Sequence, residues 1–180
     1  MEKIAQDVSA RAEKIRLIIF DVDGVLTDGS LYFDADGREF KAFNSRDGHG
    51  IKMLMDSGVE VAIISGRSSV ALTRRAEGLG IEHVYQGKQD KLPAFEELMQ
   101  KLALGSEQVA YVGDDVVDLP VMVRVGLAVA VADAHEMVKQ HSHWQTVHVG
   151  GKGAARDICE LIMDAQGVLQ QRLQAYLCRD

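Results

Sequence analysis

The run Leu17-Ile18-Ile19-Phe20 is apolar without alternation, which suits a strand covered on both faces of a parallel sheet. A short polar helix over residues 2–14 leads into it. Further strand candidates fall at 59–64, 82–85, 109–112 and 128–131. Helical spacing appears between them. Ile51, Leu54 and Met55 share one face after a start at Asp47-Gly48. Leu92, Phe95, Leu98 and Leu102 do the same after Lys91, with Pro93 in the first turn, where its missing N–H is harmless. Strand alternating with helix predicts an α/β fold, a doubly wound, Rossmann-like parallel sheet whose sites lie at the carboxyl ends of the strands.

Two stretches break this rhythm. Residues 31–33 and 39–43 flank Asp34-Ala35-Asp36-Gly37, and its Asp-Gly step predicts a β-hairpin projecting after the first strand. Near the end, Ile158, Leu161, Ile162, Ala165, Leu169, Leu173 and Tyr176 recur at helical spacing. Residues 158–165 are expected to pack on the chain's own sheet. Beyond Gly167 the chain's own sheet and a partner both remain open.

A chain of 180 residues fits one domain, with a hairpin insertion at about 30–43 and a helical tail at about 154–178. The net charge of -7 argues against a nucleic-acid partner, although local charge still permits an anionic substrate. Cys159 and Cys178 stand apart from any His or Cys cluster, so neither a zinc site nor a disulfide framework is expected. The amino-terminal segment has no apolar signal core, and no run approaches the ~18 apolar residues of a membrane span. The expectation is a cytoplasmic protein without membrane contact.

Four polar signals fall at strand ends or helix starts. In Phe20-Asp21-Val22-Asp23-Gly24 two carboxylates end an apolar strand, a costly placement unless a cation or hydrogen bonds compensate. Magnesium would do so, since it takes hard oxygen ligands. A carboxylate can also accept a phosphoryl group as an aspartyl-phosphate. Ser65-Gly66-Arg67 offers a hydroxyl, backbone N–H groups and a planar cation to an anion. Lys91 opens a helix, where ammonium and helix terminus both favour phosphate. Gly113-Asp114-Asp115-Val116-Val117-Asp118 is a second carboxylate cluster after a buried strand. Each signal alone reads as a turn, a cap or solvated surface. Four in this order, each in its expected context, do not.

With those residues in place the chain resembles the haloacid dehalogenase-like superfamily, whose four motifs match Asp21-Val22-Asp23-Gly24, Ser65, Lys91, and Gly113-Asp114 with Asp118. The resemblance implies Asp21 as nucleophile and Asp23 as general acid and base. It implies magnesium held by Asp21, the Asp23 carbonyl and Asp114. It further implies a phosphate cradle of Ser65, Gly66 and Lys91, with Asp118 positioning Lys91 and Asp115 in the metal's surroundings.

Residues 29–64 and 66–90 leave no room for a separate cap domain, so the site is either open or closed by neighbouring subunits. The whole length is similar to the capless subgroup that hydrolyses phosphorylated sugar acids, through Asp21 to Gly29, Phe43 to Gly48, Gly113 to Pro120 and Gly150 to Asp157. That resemblance implies 3-deoxy-D-manno-octulosonate 8-phosphate (KDO 8-phosphate) as substrate, a role in lipopolysaccharide synthesis, and a homotetramer whose subunits close each other's sites. Arg46 and Arg67 would meet the sugar acid. His49 stands where the subgroup usually has an aromatic residue. Gly150-Gly151-Lys152-Gly153 reads either as a turn or as an anion cradle. The alternatives are a nine-carbon sialic-acid-type 9-phosphate as substrate, a non-catalytic oligomerisation module, and a two-component receiver. The intact carboxylates speak against the module, and the motif order speaks against the receiver.

Overall fold

β1 (Leu17–Phe20) is the inner strand on which the architecture is built, and every residue in it is buried. In the computed structural model, which describes residues 6–177, it pairs in parallel with β4 (Glu60–Ile64) on one side and β6 (Val109–Gly113) on the other. β5 (His83–Tyr85) extends the sheet beyond β4. β7 (Leu127–Ala130) and β8 (Trp144–Gln145) extend it beyond β6. The order is β5-β4-β1-β6-β7-β8, every pairing is parallel, and the chain winds out in both directions from β1. This is the expected doubly wound α/β sheet.

The intervening helices are α1 (Gln6–Ala12), α2 (Ser45–Asp56), α3 (Val70–Leu79), α4 (Leu92–Leu102), α5 (Leu119–Met122), α6 (Glu136–Gln140), α7 (Ala154–Ala165) and α8 (Leu169–Gln174). The part of the amino-terminal helix expected before residue 6 lies outside the described residues, as does Cys178. The short edge strand β8 and helices α3, α5 and α6 were not anticipated. Leu72, Ala76 and Leu79 form the buried stripe of α3, but intervening arginines and glycine dilute the pattern.

Helix α2 begins before the expected Asp47-Gly48. Asn44 is its cap, accepting from the Arg46 N–H at 2.8 Å. Its buried positions include Ile51, Met53 and Leu54, because α7 lies closely against it. A β-carbon on Gly50 would lie 2.6 Å from the Arg156 side chain, and one on Gly48 2.0 Å from the Arg75 guanidinium. Glycine therefore sits in this helix, despite its poor propensity, because two arginines occupy the space.

β2 (Tyr32–Phe33) and β3 (Glu39–Phe40) form the separate hairpin, shorter than the sequence pattern suggested. The Asp34 carboxylate closes its turn by accepting from the Asp36 and Arg38 N–H groups. Leu31, Tyr32, Phe33 and Phe40 are exposed on it. Among the described residues no second domain stands over the strand ends. The carboxyl-terminal helical pattern breaks at Gly167, whose φ of +73° stops α7. Leu169 and Leu173 then pack back onto the core, and the Tyr176 ring meets His49 edge-on at 5.3 Å.

Candidate active site

Strand register assembles the site. Phe20 lies level with Ile63 of β4 and Val112 of β6, so the residues that follow those positions emerge together at the carboxyl edge. Asp21, Ser65 and Asp114 all come from this edge, and Lys91 enters from the start of α4. The loop after β1 keeps its shape through Thr27, whose hydroxyl donates to the Val22 carbonyl at 3.3 Å and accepts from the Gly24 and Gly29 N–H groups.

Lys91 is the centre of the charge network. Its Nζ lies 2.5 Å from Asp21 Oδ1 and 2.6 Å from Asp118 Oδ1, and all three side chains are buried. Asp118 is saturated by protein donors. Oδ1 takes Lys91 and the Tyr111 hydroxyl (2.7 Å), while Oδ2 takes the N–H groups of Asp114 (3.0 Å) and Asp115 (3.3 Å). A carboxylate has about four acceptor positions, so none is left for a ligand.

Carboxylate oxygens of Asp21, Asp114 and Asp118 lie within 4.8 Å of one another. One buried ammonium does not balance three such groups. Burial, and then repulsion from Asp118, pushes Asp21 up to about 6 despite Lys91. Burial, and then Asp21 and Asp118, pushes Asp114 up to about 8. Burial alone would lower the Lys91 pKa, but the two aspartates outweigh it and raise it. A site so short of positive charge fits a divalent cation, and the donors are the hard oxygens that magnesium takes. With Asp118 saturated, Asp21 and Asp114 are the side chains available to hold the ion. The Asp115 carboxylate caps the short turn at 116–118 through the Val116 N–H at 2.7 Å, and its charge adds to those that raise Asp114.

The remaining expected residues divide. The Ser65 hydroxyl is buried and accepts from the Arg67 N–H at 3.3 Å, and the Gly66 carbonyl is held by the Gln89 side chain at 2.8 Å. Arg67 is at the site, with Nε 3.9 Å from Asp23 Oδ2, but its Nη2 is engaged by Glu39. Arg46 is exposed in the first turn of α2, and among the described residues it forms no ion pair.

Gly150 and Gly151 pack against backbone. A β-carbon on Gly150 would lie 1.7 Å from the Gly24 carbonyl oxygen, and one on Gly151 2.4 Å from the carbonyl carbon of Thr27. The Gly151 N–H donates to the Val25 carbonyl at 2.8 Å. Of the two readings, this supports the turn over the anion cradle.

Several participants were not foreseen. Lys41 reaches from the hairpin to Asp23 and Glu39. Tyr111 supports Asp118, and buried Asp47 caps α7 through the N–H groups of Gly153 (3.2 Å) and Arg156 (2.9 Å). Lys41 follows Glu39 by two positions, which in the sequence signals only a charged strand. Tyr111 is an ordinary residue of a buried strand.

The sequence profile of haloacid dehalogenase-like hydrolases matches residues 81–158. The 3-deoxy-D-manno-octulosonate 8-phosphate phosphatase KdsC of Escherichia coli K12 is 52% identical over 168 residues, 93% of this chain and 89% of that protein. The chain belongs to the haloacid dehalogenase-like hydrolases, in the family of the 3-deoxy-D-manno-octulosonate 8-phosphate phosphatases. The crystal structure of the Yersinia pestis member of this family superposes with a TM-score of 0.92 at 53% identity, covering 93% of this chain and 90% of that one. The Moraxella catarrhalis member, solved in complex with a magnesium ion, a phosphate ion and KDO, gives a TM-score of 0.93 at 39% identity, covering 94% and 98%. The absence of a cap and the carboxylate cluster at the strand ends are thus set in a haloacid dehalogenase-like frame throughout.

Proposed function

We propose that this chain is a magnesium-dependent phosphatase that hydrolyses 3-deoxy-D-manno-octulosonate 8-phosphate to the free sugar acid and phosphate, a step in lipopolysaccharide synthesis. One observation carries the chemistry: Lys91 bridges Asp21 and Asp118 beside Asp114 at the carboxyl edge of the sheet. The similarity to relatives of that activity over nearly the whole chain carries the substrate.

In this reading an Asp21 oxygen bonds to phosphorus while the ester P–O bond breaks. The bonding pair leaves on the sugar oxygen, which takes the proton of Asp23. The Asp23 carboxylate then takes a proton from the water that attacks the phosphorus of the aspartyl-phosphate. The bond to Asp21 breaks, and inorganic phosphate departs. Lys91, Ser65 and backbone N–H groups hold the phosphoryl oxygens as charge redistributes, and Asp118 keeps Lys91 in place. Magnesium, held by Asp21 and Asp114 with the Asp23 carbonyl, supplies the positive charge that lets a carboxylate and a phosphate dianion meet.

The described residues act as one catalytic domain, and we propose that it works as a homotetramer in the cytoplasm. The exposed apolar side chains of Leu31, Tyr32, Phe33 and Phe40 support the assembly, because an isolated hairpin is marginal and such a patch asks for cover. Arg67 stands at the mouth of the site for the sugar acid. Arg46, exposed on α2, serves a substrate bound across a subunit boundary.

The deciding assay compares this ester with a nine-carbon sialic-acid-type 9-phosphate under saturating magnesium. A clear preference in kcat/KM for the eight-carbon ester is expected, together with loss of turnover in Asp21→Asn. Comparable slow rates on both esters overturn the substrate. Full activity in Asp21→Asn overturns the nucleophile.

A further inference from the structure

Lys41 is an unusual hairpin residue. Its apolar neighbours Phe33 and Phe40 are more than half exposed, whereas its own side chain is 2% exposed. A lysine gives up solvent this fully only where its ammonium is paired. Here Nζ contacts Asp23 Oδ1 and lies 3.0 Å from Glu39 Oε1. Glu39 also takes Arg67, and Arg67 Nε stands 3.9 Å from Asp23 Oδ2. The four charges close a ring, Asp23–Lys41–Glu39–Arg67, that joins the loop after β1, the hairpin and the loop after β4. Among the described residues Lys41 is the one hydrogen-bond donor to the Asp23 carboxylate. The other cation at that carboxylate, Arg67, stands with Nε at 3.9 Å, beyond hydrogen-bond distance, so Lys41 gives the directional contact.

We propose that Lys41 is a positioning residue for Asp23, so that the hairpin aims the group that hands its proton to the leaving oxygen. The inference rests on the reading of Asp23 as general acid. Proton transfer of this kind depends on placement within hydrogen-bond reach of the acceptor, and a carboxylate free to rotate loses that placement. The proton passes from Asp23 to the departing alkoxide. Lys41 neither gives nor takes one. A lysine that only anchored the hairpin would matter equally for every substrate.

The test separates substrates by leaving group. The sugar-acid ester expels a poor leaving group and needs the proton, whereas 4-nitrophenyl phosphate expels a stable phenolate without one. Asp23→Asn is expected to lower kcat/KM, which reports the leaving-group step and not the later hydrolysis of the aspartyl-phosphate, by ~10²–10⁴-fold on the sugar ester and far less on the nitrophenyl ester. Lys41→Met should follow the same selectivity at ~10- to 100-fold on the sugar ester, with less than ~3-fold on the nitrophenyl ester, and Lys41→Arg should recover part of the loss. Glu39→Gln keeps Lys41 and removes its anchor, and it should show the same selectivity to a smaller extent if Lys41→Met folds poorly. Equal losses on both esters in the Lys41 and Glu39 variants, beside a selective Asp23→Asn, overturn this inference alone. An unselective Asp23→Asn overturns the acid reading and this inference with it.

Discussion

Gly24 makes room for Asp114: a β-carbon at position 24 would lie 2.1 Å from Asp114 Oδ2, well inside contact distance. The loop after β1 and the loop after β6 therefore meet backbone against carboxylate. Gly24 also holds a φ of +96°, which side-chain-bearing residues rarely adopt. Gly24→Ala is expected to cost ~1–3 kcal/mol in backbone strain and to push Asp114 away from Asp21. The magnesium concentration for half-maximal activity should rise at least ~10-fold, since a displaced ligand loses most of its contribution to metal binding. An unchanged magnesium requirement would show that Asp114 does not hold the ion.

The saturation of Asp118 gives a second expectation. Asp118→Asn preserves shape but loses the charge that holds Lys91, and one amide oxygen cannot accept from four donors. Turnover should fall by more than ~10-fold as Lys91 loses its second anchor. Tyr111→Phe removes one donor to the same carboxylate and should cost ~1 kcal/mol of stability, read from urea unfolding. A Tyr111→Phe variant as stable as the parent would mean that the hydroxyl contributes nothing there.

The shifted carboxylates predict a proton count. In the metal-free protein Asp114 is raised from 3.8 to about 8, so between those values the folded chain binds more protons than the unfolded chain. Its contribution to stability is full below the unfolded value and is lost as pH rises toward about 8. Magnesium takes the ionised carboxylates, so its affinity should rise with pH over the same interval, with about one proton released per ion near pH 7. Titration calorimetry in buffers of different ionisation enthalpy measures that release. Affinity independent of pH, with no proton released, would mean that the cluster is already ionised.

The glycine turn after β8 predicts opposite outcomes for two neighbours. Gly150→Ala would drive a methyl group into the Gly24 carbonyl, so a cost of ~1–3 kcal/mol and reduced turnover are expected. Lys152 is exposed, and Lys152→Ala should change KM for the sugar ester by less than ~3-fold, as surface substitutions usually do. A tenfold rise in KM from Lys152→Ala beside a silent Gly150→Ala would restore the anion-cradle reading.

Much of this was legible before any coordinates. The continuous apolar run of β1 announced a strand covered on both faces, and the polar residues directly after β1, β4 and β6 announced the site. The two-residue β8 was invisible because period-two alternation needs a longer run than Trp144-Gln145 provides. The start of α2 was misplaced at Asp47 because that acid is a cap for α7, far along the chain, and not for its own helix.

The sequence by itself determined the inner strands, the hairpin, the helical patterns of α2, α4 and α7, the lack of room for a cap, and which residue types gather at the carboxyl ends of the strands. These follow from periodicity and from chemistry local to a few residues, where a polar group at the end of a buried run must be compensated. Only the tertiary structure decided that Asp114 faces Asp21 while Asp115 caps a turn, that Asp118 is saturated, and that Gly150 lies on Gly24. It alone brought Lys41 to Asp23. These depend on register between strands distant in the chain and on which atoms the packing leaves room for. Periodicity within one segment carries no information about either.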